Sequence, residues 1–373
     1  MSLIRRAIIF IFFLIGSLFG VHAPETPVPA IPAEPVATTT VSIATTTEKI
    51  VAKPKATTTP PTKPKAKAVV KPVVLIPPPA PLPIVTPVPK PVPDFEKINT
   101  YARNAIVNII CSSKGNELSP ASGTGVLINK NGLILTNAHV AQYFLLQDYH
   151  QKDFIECVIR TGSPAYPRYH AELVYISPKW VENNKAILKE ENPTGTGEND
   201  FAFLRITDAI DGSPLPSFNY ILPNTREYIE KNESVILVSY PAGFLGGISI
   251  LQDLNVTSAV TTVQGLSTFD TGTIDVISVG GTVVSQKGSS GGAVIDKNTT
   301  LIGTLSTSSE SPTTGGRELY AITPAYINRA LQSELGITLG VFLAQDLPAF
   351  AKTFQTKTAP LLTKLLTDEL NKR

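Results

Sequence analysis

"SGTGVLINKNGLILTNAHV", residues 122–140, is the stretch from which the fold is read. Two short apolar runs flank Asn131-Gly132, a dipeptide suited to the positive φ of a tight hairpin turn. The same texture holds from about Asp94 onward. Short runs rich in Val, Ile and Thr ("AIVNIICSS", "FIECVIRTG", "AELVYIS", "FAFLRIT", "SVILVSYP", "NVTSAVTTVQG", "TIDVISVG", "ELYAITP") alternate with Gly, Asn, Asp and Pro turns. Many short strands at this spacing predict an all-β sandwich or barrel. Helices are expected late. Pro324 can open one in "PAYINRALQSEL". The tail has helical spacing at Phe350, Phe354, Leu361, Leu362, Leu365 and Leu366, interrupted by Pro348 and Pro360. That tail either packs on the body of the domain or makes an oligomer contact.

Upstream the composition changes. Residues 1–23 carry Arg5 and Arg6, an apolar run from Ala7 to Val21, and small residues at Val21-His22-Ala23, the order of an export signal. Pro24 fits a cleavage site poorly, so the segment reads as a signal peptide or a retained membrane anchor, although the run is short against the roughly 20 residues of a spanning helix. Residues 24–93 hold more than half of the chain's 32 prolines, with "ATTT" repeats and scattered lysines. Proline removes backbone donors and fixes φ, so this tract is expected to be an extended, coreless linker. At about 3.1 Å per residue it reaches on the order of 200 Å. The protein is therefore expected in the cell envelope, tethered through its N-terminus. The folded domain is expected over 94–340, with a helical tail over 341–373.

The formal net charge is +2, with the positive charge concentrated near the N-terminus, and no basic, aromatic-interleaved patch suggests nucleic acid. With 2 Cys and 4 His (His22, His139, His150, His170), no metal-ligand spacing is present and no cofactor is implied.

The chemistry is carried by "QKGSSGGAVID", residues 286–296. An acyl-transfer nucleophile needs a base, an acid behind the base, and backbone N–H groups aimed at the oxyanion. Taking Ser290 as nucleophile puts Gly288 two residues before it and Gly291-Gly292 directly after, where the chain must turn sharply. Taking Ser289 instead puts Lys287 and Ser290 at those places. Ser290 is the candidate. "LTNAHV" supplies His139 at the end of a strand. "NDFAFLRI" supplies Asp200 at the mouth of an apolar run, where a carboxylate is costly unless something binds it. Alone, "GSSGG" is compatible with an ordinary turn, and His139 with a structural histidine.

From about Ala105 to Leu331 the chain resembles the trypsin-like serine proteases, in particular the bacterial HtrA/Deg branch. The resemblance rests on "SGTGVLINKNGLILTNAHV", then "NDFAFLRI", then "VVSQKGSSGGAVID" and "LYAITP", in the order His, Asp, Ser. It implies two six-stranded antiparallel Greek-key barrels with a catalytic cleft between them, protein or peptide substrates, and a triad of His139, Asp200 and Ser290 with an oxyanion hole at the N–H groups of Gly288 and Ser290. Digestive members carry an Asp before the nucleophile that pairs with a newly cut N-terminus. Ser289 stands there, so zymogen activation of that kind is not expected. The branch also allows control by homo-oligomerisation.

By the same resemblance Val284 floors the specificity pocket and Thr304, Leu305, Ser306 and Thr307 form its wall, which favours small or medium aliphatic side chains. Roughly 40 residues follow the last matching block, too few for a PDZ domain. The polar stretch between His139 and Asp200 reads as a solvated loop or a substrate-contacting insertion. Cys111 and Cys157 fall on strands that neighbour each other in such a barrel, as a disulfide or as two buried thiols. A catalytically inactive binding protein on the same scaffold is the rival reading. An α/β-hydrolase is disfavoured, because that fold places its histidine last.

Overall fold

In the computed structural model, which describes residues 93–372 apart from 116–117, 191–194, 244, 271, 310 and 312, the strands sort into two sheets. The leader and nearly all of the Pro-rich tract lie outside the described residues. The chain enters through α1 (Phe95–Arg103), a helix the sequence did not announce, whose first turn is capped by the Asp94 carboxylate accepting from Lys97 N–H at 3.1 Å.

The first sheet is a closed barrel of β1 (Ile106–Ser113), β2 (Ala121–Leu127), β3 (Leu133–Thr136), β4 (Ile155–Thr161), β5 (Tyr166–Ile176) and β6 (Ala202–Ala209), in the order β1-β2-β3-β6-β5-β4. The expected hairpin joins β2 to β3. Its turn is held by Asn129, whose Oδ1 accepts from the N–H groups of Asn131 and Leu133 at 2.9 and 3.0 Å, and only Gly132 of the Asn-Gly pair takes positive φ. β1 pairs with β4, Cys111 stands opposite Cys157, and a disulfide of 2.05 Å joins them. Two helices break the strand succession: α2 (Ala138–Ala141), directly after β3, and α3 (Pro178–Asn184). The latter occupies the stretch read as a solvated loop. Ser177 caps it, and Trp180 and Val181 bury its inner face.

The second sheet contains β7 (Ser234–Ser239), β8 (Thr257–Thr262), β9 (Gly265–Ser267), β10 (Val276–Ser278), β11 (Ala293–Ile295), β12 (Leu301–Ser308) and β13 (Leu319–Ile322), in the order β8-β7-β11-β12-β13-β10-β9. It has seven strands where six were expected. The two edge strands are halves of one bent run: Val263 N–H donates to Glu233 O on one side of the bend and Gln264 N–H to Ser278 O on the other. The sheet therefore curls back on itself, around Val235, Leu237, Ile277, Val284, Val294, Leu305 and Ala321. Between β7 and β8 the chain forms α4 (Gly247–Gln252).

Four helices end the chain: α5 (Pro324–Leu335), α6 (Leu339–Leu343), α7 (Leu347–Lys357) and α8 (Ala359–Leu370). Pro348 and Pro360 stand in the first turns of α7 and α8, where a missing N–H and a fixed φ favour a helix start. The helices cover the first barrel. Phe342 meets Phe203 at 4.6 Å between ring centroids and Phe354 meets Tyr175 at 5.4 Å, while Thr363 donates to Leu145 O at 2.8 Å.

Candidate active site

The pairing of β3 with β6 sets Thr136 opposite Ala202, so the chain leaving β3 and the chain entering β6 run side by side. His139 sits in α2, just past the end of β3, and Asp200 just before β6. Asp200 holds the histidine twice. Its Oδ1 accepts from His139 N–H at 2.9 Å and its Oδ2 lies 2.8 Å from His139 Nδ1. The same Oδ2 accepts from the Ser306 hydroxyl at 2.7 Å, and the Asp200 carbonyl accepts from Asn137 Nδ2 at 2.9 Å. The carboxylate is 4% exposed and the imidazole 29%, which leaves one face of the ring open to a reactant. Burial alone would push the Asp200 carboxyl up, but the His139 charge and the hydrogen bonds from His139 and Ser306 outweigh it and hold the pKa below its ordinary value. Burial likewise disfavours the His139 cation, yet the Asp200 charge and hydrogen bond raise its pKa overall.

A backbone residue with positive φ precedes this carboxylate. Asn199 has φ 57°, and it is pinned by Tyr326 of α5, whose hydroxyl accepts from Asn199 N–H and donates to Asn199 Oδ1, both at 3.0 Å.

The loop before β11 brings the serines into place. Ser289 is 1% exposed: its hydroxyl donates to Val284 O at 2.5 Å and accepts from Ser239 at 3.0 Å. It is turned inward. Ser290 is partly open, and its hydroxyl donates to the Ser306 carbonyl at 3.4 Å, a long contact. Among the described residues no hydrogen bond joins Ser290 to His139. Ser306 links the two halves, with its side chain on Asp200 and its carbonyl under Ser290.

Gly288 has φ 92°, and a Cβ there would come within 2.8 Å of Tyr240 O and 2.9 Å of Ala242 N. Gly291 has φ 86°, and its Cβ would lie 1.8 Å from Thr124 O. Both places require glycine for conformation and for space. Thr124 of β2 staples the loop: its hydroxyl donates to Gly288 O at 2.7 Å and its N–H to Ser290 O at 2.7 Å. Ala242 N–H donates to Lys287 O at 2.7 Å. Among the described residues, the N–H groups of Gly288 and Ser290 donate to no protein atom. Two unspent donors on one tight loop are what a developing oxyanion requires.

Of the expected pocket residues, Val284 and Leu305 are fully buried in the core of the second sheet. Thr304 is fully buried, with a hydroxyl that finds no partner among the described residues. Ser306 is engaged as above, and Thr307 lies in β12. Thr124 and Tyr326 were not legible as parts of this site, because each reaches it from a strand or helix distant in sequence. Among the described residues no cluster of three or more His, Cys, Asp or Glu could hold a metal ion, and no helix is long and apolar enough to cross a membrane.

Two antiparallel curled sheets, with a bonded His–Asp pair facing a glycine-framed serine loop, define the trypsin-like architecture. Residues 123–303 match the family model of the trypsin-like peptidase domain. No curated protein matches the sequence. Among solved structures, the crystal structure of Deg5 is similar at 16% identity, with a TM-score of 0.41 over 64% of this chain and 94% of that one.

Proposed function

We propose that the protein is an exported serine endopeptidase of the HtrA/Deg type that works through His139, Asp200 and Ser290. The observation that carries this reading is the Asp200 carboxylate, shared between His139 Nδ1 and the Ser306 hydroxyl, while the Ser306 carbonyl receives Ser290. In the reaction Ser290 Oγ attacks the peptide carbonyl carbon and passes its proton to His139 Nε2. The carbonyl oxygen, now an anion, is held by the N–H groups of Gly288 and Ser290. Collapse breaks the C–N bond, and the amine leaves with the proton from His139. Water then attacks the acyl-serine with His139 again as base, releasing the acid and restoring Ser290. Asp200 fixes the ring tautomer and stabilises the imidazolium.

Val284, which stands where the resemblance places the floor of the specificity pocket, has no charge to offer a basic side chain, which favours small or medium aliphatic side chains on the acyl side of the cleaved bond. The leader and Pro-rich tract support export and an envelope tether, and a disulfide suits an oxidising compartment. Misfolded or incoming envelope proteins are the substrates that fit such a placement.

The test uses the full chain as wild type and as Ser290→Ala, treated with a fluorescent fluorophosphonate and with casein. Labelling and cleavage are expected in the first and neither in the second. A folded wild type that takes no label would overturn the enzymatic reading.

A further inference from the structure

Arg160, in β4, is the largest fully buried side chain of the described molecule at 1% exposure, and among the described residues no carboxylate pairs with it. A buried cation without a counter-ion is costly unless every donor is used. Its donors go to two places. Nε donates to Asn108 Oδ1 at 2.8 Å. Nη1 donates to Ile250 O and Leu251 O at 3.0 and 3.1 Å, and Nη2 to Ile250 O at 3.0 Å. Those carbonyls belong to the last turn of α4, where a helix has acceptors without partners of its own and favours a cation.

Both routes lead to the loop of Ser290. The first runs across the barrel. Arg160, Asn108 and Thr124 stand directly opposite one another on β4, β1 and β2, and all three are buried. Asn108 Nδ2 donates to Gly123 O at 2.7 Å, and Thr124 then holds Gly288 O and Ser290 O. The second route runs through the β7–β8 connection. α4 has no fully buried side chain and leaves Ile248 and Leu251 73% and 59% exposed, so of its apolar side chains only Ile250 packs on the core. The same connection carries Ala242, whose N–H fixes Lys287 O. Gly288 is thus gripped on both flanks, at Lys287 O by Ala242 N–H and at its own carbonyl by the Thr124 hydroxyl, and Arg160 stands behind both grips.

Resting on the peptidase reading above, we propose that Arg160 is a positioning residue for the oxyanion loop: the buried row Arg160–Asn108–Thr124, together with the tie to α4, sets the direction of the Gly288 N–H. Removing Arg160 frees the β7–β8 connection and lets the Lys287–Gly288 peptide turn, which costs transition-state stabilisation with little effect on ground-state binding.

The experiment measures fluorophosphonate labelling and peptide hydrolysis by the full chain as wild type, Arg160→Ala and Arg160→Lys. In Arg160→Ala the labelling rate and kcat should fall about 100-fold, the loss expected for one oxyanion donor, with KM within about threefold of wild type. Millimolar guanidinium, which fits the space vacated, should recover at least about tenfold of the labelling rate in Arg160→Ala and none in wild type. Arg160→Lys, which keeps the charge but not the fork, should fall between them. A folded Arg160→Ala with kcat near wild type, or a loss that guanidinium leaves untouched, overturns the proposal.

Hydrogen exchange at the Ala242 amide keeps the proposal testable apart from the chemistry. That amide should exchange at least about tenfold faster in Arg160→Lys than in wild type while the β7 amides stay protected, and equal rates overturn the proposal even if Arg160→Ala does not fold. If wild type takes no label, the peptidase reading falls and this measurement alone decides whether Arg160 holds the loop.

Discussion

Asp200 Oδ2 receives two partners, His139 and Ser306, and the balance between them governs how the site responds to pH. The pair raises the His139 pKa despite its burial and lowers that of Asp200. Since the base must be neutral to accept the Ser290 proton, labelling by fluorophosphonate should rise with pH through a midpoint above the ordinary histidine value of about 6.5. Asp200→Asn removes the charge that stabilises the imidazolium. The midpoint should then move down and the rate at neutral pH fall by roughly 10⁴, the loss typical of such triads. Stability follows the same groups. The raised His139 contributes fully below its unfolded pKa and loses that contribution as pH rises through its folded value. The depressed Asp200 contributes above its unfolded pKa and loses it as pH falls through its folded value. The melting difference between wild type and Asp200→Asn should therefore be largest between about pH 4 and 6.5 and shrink on either side. A difference that stays the same below pH 4 and well above pH 6.5 as between them would mean that the pair is not ionised in the folded state.

At the scale of elements, the first barrel is closed by the β1–β4 ladder, and the Cys111–Cys157 bond lies within it across a separation of 46 residues. A cross-link of that span limits the unfolded chain and is worth about 2–4 kcal/mol. Replacing both cysteines with Ala should lower the urea unfolding free energy by that amount and raise the m-value, because the unfolded chain becomes freer to expand. An unchanged m-value would place the effect in native packing instead. The hairpin, the strand succession and the glycine frame of Ser290 could be read in the sequence because each depends on residues within a few positions of one another. Local signals also placed His139 in a strand end, where the chain instead turns into α2. They missed α1 and α3, short helices that bury only two residues each. Arg160 gave no local signal at all, because its partners come from β1 and from α4, 52 and 90 residues away.

At the scale of the whole molecule, the question the sequence left open was whether the C-terminal tail packs or pairs. Its apolar spacing was legible, but the surface it covers was not, since that surface is assembled from β5, β6 and the turn after α2. Leu339, Phe342, Leu347, Phe354, Leu362 and Leu366 are all buried in this one chain. At about 1.5–3 kcal/mol for each large side chain, their burial is worth on the order of 10 kcal/mol. That is comparable to the total stability of a domain, about 5–15 kcal/mol. A chain ending at Thr338 should therefore not fold. A chain ending at Thr358 loses α8 and the residues after it, and with them Leu362, Leu366, the Thr363 hydrogen bond to Leu145 O and the acceptors of Tyr149 and Lys189 on Asn371 and Lys372. Leu145 lies in the 3₁₀ turn Gln142–Leu146, which follows α2 and so backs His139. This shorter truncation should fold with a Tm lower by on the order of 10 °C. Its amide exchange should quicken over residues 138–149, and labelling of Ser290 should fall even where secondary structure is intact. If exchange there stays as in wild type while the particle halves in mass on a sizing column, α8 serves a subunit contact and the helix behind His139 stands without it.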